Sequence, residues 1–259
     1  MSTGIAQLAR TLDDAQRSAT ATTQLGDALS IEDAYAVQRE ILRLHLQRGE
    51  TYAGPKLGFT STAKMEQMGV SDIIVGFLTR EMELPAGQAI SLAGLIHPRI
   101  EPELVFRLGH DVTPEAGEDA AALAARIRAA ADAVAAGMEI IDSRYENFRF
   151  TLSDVVADNT SAARFVVGEW QDFPRPLSGL SVEFEIDGAV VERGVSDAIL
   201  GDPLRAFDQL AAMTVKYGFG LPAGAPILAG SMTPAVYLEP GQHVVARIES
   251  FPDLTVDVA

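Results

Sequence analysis

The chain has 259 residues, with 36 Asp and Glu against 20 Lys and Arg, a net charge of −16 and no cysteine. That balance repels phosphate backbones and anionic headgroups, so nucleic-acid and membrane partners are disfavoured. The lack of cysteine excludes disulfides, thiolate zinc sites, cysteine-ligated iron–sulfur clusters and a Cys nucleophile.

In chain order, residues 3–20 carry Ile5, Leu8, Ala9 and Leu12 at helical spacing. This start lacks the continuous apolar core of a signal peptide, and a cytoplasmic protein is expected. A second helix is predicted over 30–48, entered at Ser30 with Glu32 and Asp33 in its first turn. Ala34, Val37, Ile41 and Leu44 form its apolar stripe, and Gly49 is a plausible stop. Gly54 and Gly58 then flank a lone Lys56, a short helix is predicted over 61–69, and 73–78 is an apolar run of either type. From about residue 83 the texture turns to short β-like runs. The alanine-rich segment 115–136 predicts a helix ended by Gly137, and strands are expected at 138–142, 163–168, 181–187 and 189–192. Asp187-Gly188 signals a hairpin. A helix at 203–217 and strands at 226–229, 235–238 and 243–248 complete the pattern. Regular βα alternation is missing, so an α+β protein on a mixed or antiparallel sheet is expected, with a mainly helical region over 1–80 and a β-rich core over 81–259.

The densest chemistry lies in His97-Pro98-Arg99-Ile100-Glu101-Pro102-Glu103. In an extended segment residues i and i+2 share a face, so Glu101 and Glu103 can converge, and two hard carboxylates suit Mg²⁺ or Mn²⁺. A solvated strand face accounts for the same spacing. Glu139 sits inside the apolar run 138–142, where burial is costly without a partner or a cation; an edge-strand Glu facing solvent is the alternative. Lys56, between its glycines, suits contact with a substrate carboxylate or proton transfer, and equally an exposed loop. The polar loops holding Arg144 and Asp158 suit a site or mere capping and pairing. His45, His97, His110 and His243 have no metal-ligand spacing and read as structural. G-x-S-x-G, a Walker loop and a post-strand G-x-G-x-x-G are missing.

Taken together, IEDAYAVQREI at 31–41, KLGFTSTAKMEQMGV at 56–70, HPRIEPEL at 97–104, MEIIDSRYENFRF at 138–150 and VVADNTSAARF at 155–165 resemble the fumarylacetoacetate hydrolase superfamily. Weaker matches are LGDPL at 200–204, PAGAPILAGSMTPAV at 222–236 and LEPGQ at 238–242. The order of these matches is that of the branch whose hydratases and decarboxylases process 2-oxo and 2-hydroxydienoic acids in aromatic meta-cleavage. SRYENFRF and AKMEQMGV look more like the decarboxylases. The resemblance implies a mixed β-sandwich roll with an N-terminal helical region and a homo-oligomer, with association with a related hydratase also expected. It implies Glu101, Glu103 and Glu139 as ligands of Mg²⁺ or Mn²⁺ and Lys56 as an active-site lysine. The reaction it implies is decarboxylation of 2-oxohex-3-enedioate, or a similar 2-oxo acid, to a 2-hydroxydienoate. Arg144 and Arg164 are candidates for the distal carboxylate, and Asp158 for an acid–base role. The alternatives are hydration of 2-hydroxypenta-2,4-dienoate, C–C bond hydrolysis of an acylpyruvate, and a non-catalytic partner subunit. Departures from the family pattern are Asp202 in place of a His, Gly194–Ala198, Gln242 and Phe251–Leu254; the proposed ligand positions are intact.

Overall fold

The computed structural model describes residues 3–25, 29–60, 73–85 and 87–259. The short helix expected over 61–69 lies outside them, as does the whole AKMEQMGV run. Helices α1 (Thr3–Ser18) and α2 (Ile31–Gln47) pack on one another. The α2 entry is capped as the sequence implies, Ser30 Oγ accepting from the Asp33 N–H at 3.1 Å. Ala34, Val37 and Ile41 of its stripe are buried.

The strands form two sheets. In the larger, β2 (Ile74–Thr79), β1 (Tyr52–Gly58), β9 (Pro226–Ser231), β3 (Arg99–Leu108), β4 (Ala131–Ile141) and β5 (Ala162–Val167) lie in that spatial order. The short β6 (Gln171–Asp172) pairs with β4, and β10 (Val236–Tyr237) with β3. Among the described strands only β1 and β9 pair with each other in parallel, so the sheet is mixed. Strands β1 and β2, from within residues 1–80, form one end of it. The smaller sheet runs β12 (Leu254–Asp257), β11 (His243–Ile248), β7 (Ser181–Ile186), β8 (Ala189–Val195). Its β7–β8 turn is the expected hairpin, with Asp187 at φ 52° and Gly188 at φ 79°. Phe106, Phe184, Val134 and Val244, drawn from both sheets, share one core. This is the expected α+β sandwich roll.

The alanine-rich segment departs from its predicted helix. Only Ala120–Ala130 is helical (α3), capped by Asp119, and Ala131–Ile141 is the strand β4 between β3 and β5. Alanine favours a helix by only tenths of a kcal/mol per residue, and a central ladder outweighs that. Gly137 is no helix stop. It lies opposite Glu103 in the ladder, and a Cβ there would sit 2.3 Å from Val105 Cγ2. A short helix unforeseen in the sequence, α4 (Leu152–Ala157), carries a full capping box between Thr151 and Asp154. The predicted helix at 203–217 is α5 (Arg205–Tyr217), ended by a left-handed Gly218.

Candidate metal centre

Strand alternation sets the site. On β3, Arg99, Glu101 and Glu103 share one face, and the antiparallel register with β4 places Glu139 directly opposite Glu101. A carboxylate oxygen from each of Glu101, Glu103 and Glu139 can be chosen so that all three lie within 4.8 Å of one another. Glu103 and Glu139 are fully buried and Glu101 is 5% exposed, so neither the solvated face nor the edge strand describes them. Lys56 is also buried, inside β1 rather than on a loop, with Nζ 3.0 Å from Glu139 Oε2 and donating to Thr160 O at 3.0 Å. On the other flank, the Gly230 N–H donates to Glu103 Oε2 at 2.9 Å. Gly230 has φ 115°, and a Cβ on it would meet Thr60 Oγ1 at 1.9 Å, so only glycine brings that N–H so close.

Among the described residues, three carboxylates against one lysine leave the cluster short of positive charge. Burial pushes the Glu103 carboxyl well up, reinforced by the charges of Glu139 and Glu101. Burial likewise raises Glu139 to about 7 against the pull of Lys56. Glu103 Oε1 and Glu139 Oε1 accept no hydrogen bond from the described residues. Buried, all-oxygen and mutually repelling, with unpartnered oxygens on Glu103 and Glu139, this donor set fits a hard divalent cation such as Mg²⁺ or Mn²⁺.

Glu101 and Lys56 line a cavity of about 540 Å³, together with Arg99, Phe148, Arg149 and Thr160 among others. Its wall includes strained backbone. Asn159, Thr160 and Ser161 follow one another at φ 49°, 53° and 59°, the left-handed region that non-glycine residues seldom occupy. The Asn159 side chain pins this turn to β2, Oδ1 accepting from the Phe77 N–H at 2.8 Å and Nδ2 donating to Phe77 O at 2.9 Å. That turn aims the Thr160 carbonyl at Lys56.

Of the residues singled out in the sequence, the triad and Lys56 are brought together, and the other three lie elsewhere. Arg144 and Asp158 form a buried pair, Nε to Oδ1 at 2.5 Å. The guanidinium also donates to the carbonyls of Asp142, Ala162 and Asp158. Burial lifts the Asp158 carboxyl to about 6 even with Arg144 beside it. The pair ties the turn after β4 to the start of β5 and does not line the 540 Å³ cavity. Arg164 donates to Ala163 O and lines a separate cavity of about 320 Å³ beside Arg17 and Arg48. Besides Lys56, the cations that line the larger cavity among the described residues are Arg99 and Arg149. Arg99 was discoverable: it stands two residues before Glu101, the same spacing that joined Glu101 to Glu103.

Residues 60–259 match the fumarylacetoacetate (FAA) hydrolase C-terminal family. The chain belongs to that family. Among its relatives, a 4-oxalocrotonate decarboxylase from Pseudomonas sp. is 43% identical over 97% of this chain and 96% of its own. A 2-hydroxyhexa-2,4-dienoate hydratase from Comamonas testosteroni is 34% identical over 92% and 91%. Among solved structures, 4-oxalocrotonate decarboxylase from Pseudomonas putida G7, complexed with magnesium and adipate, superposes with a TM-score of 0.91 at 34% identity, covering 100% of this chain and 98% of that one. None of the described helices is long and apolar enough to cross a membrane.

Proposed function

We propose that this chain is a divalent-metal-dependent lyase that decarboxylates 2-oxohex-3-enedioate, or a close 2-oxo acid, to a 2-hydroxydienoate. The observation that carries the reading is the buried carboxylate triad of Glu101, Glu103 and Glu139 beside the 540 Å³ cavity. The 43% identity to a decarboxylase over nearly the whole chain supports the choice of reaction. Glu101, Glu103 and Glu139 would hold the cation. When bound, the cation supplies Lewis-acid stabilisation for negative charge developing on the 2-oxo oxygen. Lys56, held by Glu139 and Thr160 O, orients the 2-oxo acid and carries a proton at Nζ. In the reaction the bond between the chain and the distal carboxylate carbon breaks, and that carboxylate leaves as CO₂. Its electron pair passes through the conjugated chain to the 2-oxo oxygen, which takes a proton and becomes the 2-hydroxyl group. The narrow strained turn at 159–161 fixes the Lys56 ammonium, so little reorganisation is needed as charge moves.

Hydratases at 34–36% identity make hydration of 2-hydroxypenta-2,4-dienoate the second reading. An assay of the purified protein with Mg²⁺ or Mn²⁺ separates them: CO₂ and 2-hydroxypenta-2,4-dienoate from the diacid support decarboxylation, and 4-hydroxy-2-oxopentanoate from the dienoate supports hydration. Neither product in either assay would refute both. Self-association, association with a related hydratase and a cytoplasmic location belong to the same reading. Family membership supports them, and light scattering, co-purification and fractionation test them.

A further inference from the structure

The other end of the cavity has its own chemistry. Arg99 lies two strand residues from Glu101 on the same face of β3, about 6.6 Å along the strand, a distance on the scale of a six-carbon chain. Its guanidinium is stacked between two rings, with Cζ 4.1 Å from the Phe148 centroid and 4.2 Å from the Tyr237 centroid. Tyr237 is its cross-strand partner on β10 and accepts a 2.5 Å hydrogen bond from Nη2 at its hydroxyl oxygen. The Phe148 ring is set by strained backbone, Asn147 and Phe148 both lying in the left-handed region at φ 58° and 57°. Despite this framing Arg99 has no carboxylate partner among the described residues, and its buried Nε has no hydrogen-bond acceptor there. In a chain of net charge −16, a stacked and oriented arginine at a cavity wall with no carboxylate paired to it among the described residues is unusual. The second arginine of the wall, Arg149, is exposed and held by no such contacts among the described residues.

We infer that Arg99 is the residue that reads the distal carboxylate of a dicarboxylic 2-oxo acid, so that the cavity selects diacids over monoacids with the same 2-oxo head. The assignment rests on the reading of the triad as the end that holds that head. Phe148 and Tyr237 fix the guanidinium plane, which leaves a planar donor edge for a carboxylate. A hydratase substrate has no distal carboxylate, so this arginine separates the two reactions by substrate recognition at the end remote from the metal. Arg144 and Arg164, which the sequence suggested for this role, are committed elsewhere.

The test is calorimetric binding of 2-oxoadipate and 2-oxohexanoate to the Mg²⁺-loaded full-length protein, for wild type, Arg99→Gln and Arg99→Lys. Wild type should prefer the diacid by roughly tenfold to a hundredfold, the scale of one charge-assisted pair. Arg99→Gln should lose that preference while its affinity for the monoacid shifts by less than about threefold, and Arg99→Lys should recover part of it, since a lysine keeps the charge but not the fork. In turnover, KM for the diacid should rise more than kcat falls. A diacid preference that survives in Arg99→Gln, with the monoacid still bound, overturns the assignment and leaves the triad reading standing. If wild type binds neither acid in a Mg²⁺-dependent way, the triad reading fails and the assignment fails with it. A misfolded Arg99→Gln would reveal itself by losing monoacid binding, and the same comparison in Tyr237→Phe, which frees the guanidinium from its hydroxyl contact, then decides: a reduced but surviving diacid preference supports the role, and an unchanged one overturns it.

Discussion

Replacing Lys56 with Met should destabilise the metal-free protein by an amount that grows with pH. Lys56 Nζ stands 3.0 Å from Glu139 Oε2, with both side chains at most 4% exposed. At an effective dielectric of about 20, two unit charges at that distance attract by about 5 kcal/mol, an upper bound on what the pair contributes. The bound is not reached at every pH, because Glu139 can take up a proton instead. Its carboxyl is raised to about 7 by burial even with Lys56 present, and loss of Lys56 pushes it higher. A carboxyl raised in the folded state binds more protons there than in the unfolded chain, so its contribution to stability is present at low pH and lost as pH rises through the folded value. In wild type that loss is complete a little above 7; in the variant it continues, at up to about 1.4 kcal/mol per pH unit. The expected penalty is therefore about 1 kcal/mol near pH 6 and about 3 kcal/mol near pH 8.5. Urea unfolding with EDTA present, followed by Trp170 fluorescence and circular dichroism, measures it. A penalty that is flat with pH would mean that Lys56 does not hold Glu139 ionised.

Mg²⁺ affinity should rise with pH, since raised carboxyls on Glu103 and Glu139 mean that protons compete for the site. Calorimetry in buffers of different ionisation enthalpy should report proton release that shrinks above about pH 8, and its absence would contradict the charge argument. Gly230→Ala should lower stability by roughly 2–5 kcal/mol, from a backbone angle closed to Ala and a methyl driven into Thr60. It should weaken Mg²⁺ binding too, by removing the N–H from Glu103; a variant of native stability and affinity would refute the close packing. Asp158→Asn leaves the Arg144 guanidinium buried without its counter-charge and should cost about 3–5 kcal/mol in denaturant midpoint analysis. Its Mg²⁺ affinity should stay near wild type, because the pair stands apart from the triad; a selective loss of Mg²⁺ binding with stability intact would reverse that placement.

Most helices and the second half of the strand pattern were legible because their signals are local. Ser30 caps α2, Asp187-Gly188 turns the hairpin, and Gly218 ends α5. The failures came where tertiary pairing decided the outcome. Ala131–Gly137 has helical composition and becomes part of an interior strand, paired with β3 and β5, which lie far away in sequence. Lys56 looked like a loop residue because glycines flank it, yet Gly54 and Gly58 are strand positions where other parts of the fold press close: a Cβ on Gly54 would meet Pro226 O at 2.2 Å. The site was half readable. Glu101 and Glu103 follow from strand alternation, but the cross-strand register that sets Glu139 opposite Glu101 has no local signature, and the family resemblance supplied it. The sequence offered Arg144 and Arg164 for the distal carboxylate because charge and motif cannot tell a committed arginine from an open one. Arg144 is spent on Asp158 and three carbonyls, whereas Arg99 lay in the same motif as the acidic pair.

The central claim is that Glu101, Glu103 and Glu139 hold one divalent cation between them, and titration of Mn²⁺ into the metal-free protein, followed by electron paramagnetic resonance, tests it most directly. Wild type should bind one ion per chain. Glu103→Gln should lose at least about tenfold in affinity while unfolding no earlier than wild type in EDTA, since the amide removes a buried group that resists ionisation. Undiminished one-to-one binding in folded Glu103→Gln would contradict the account.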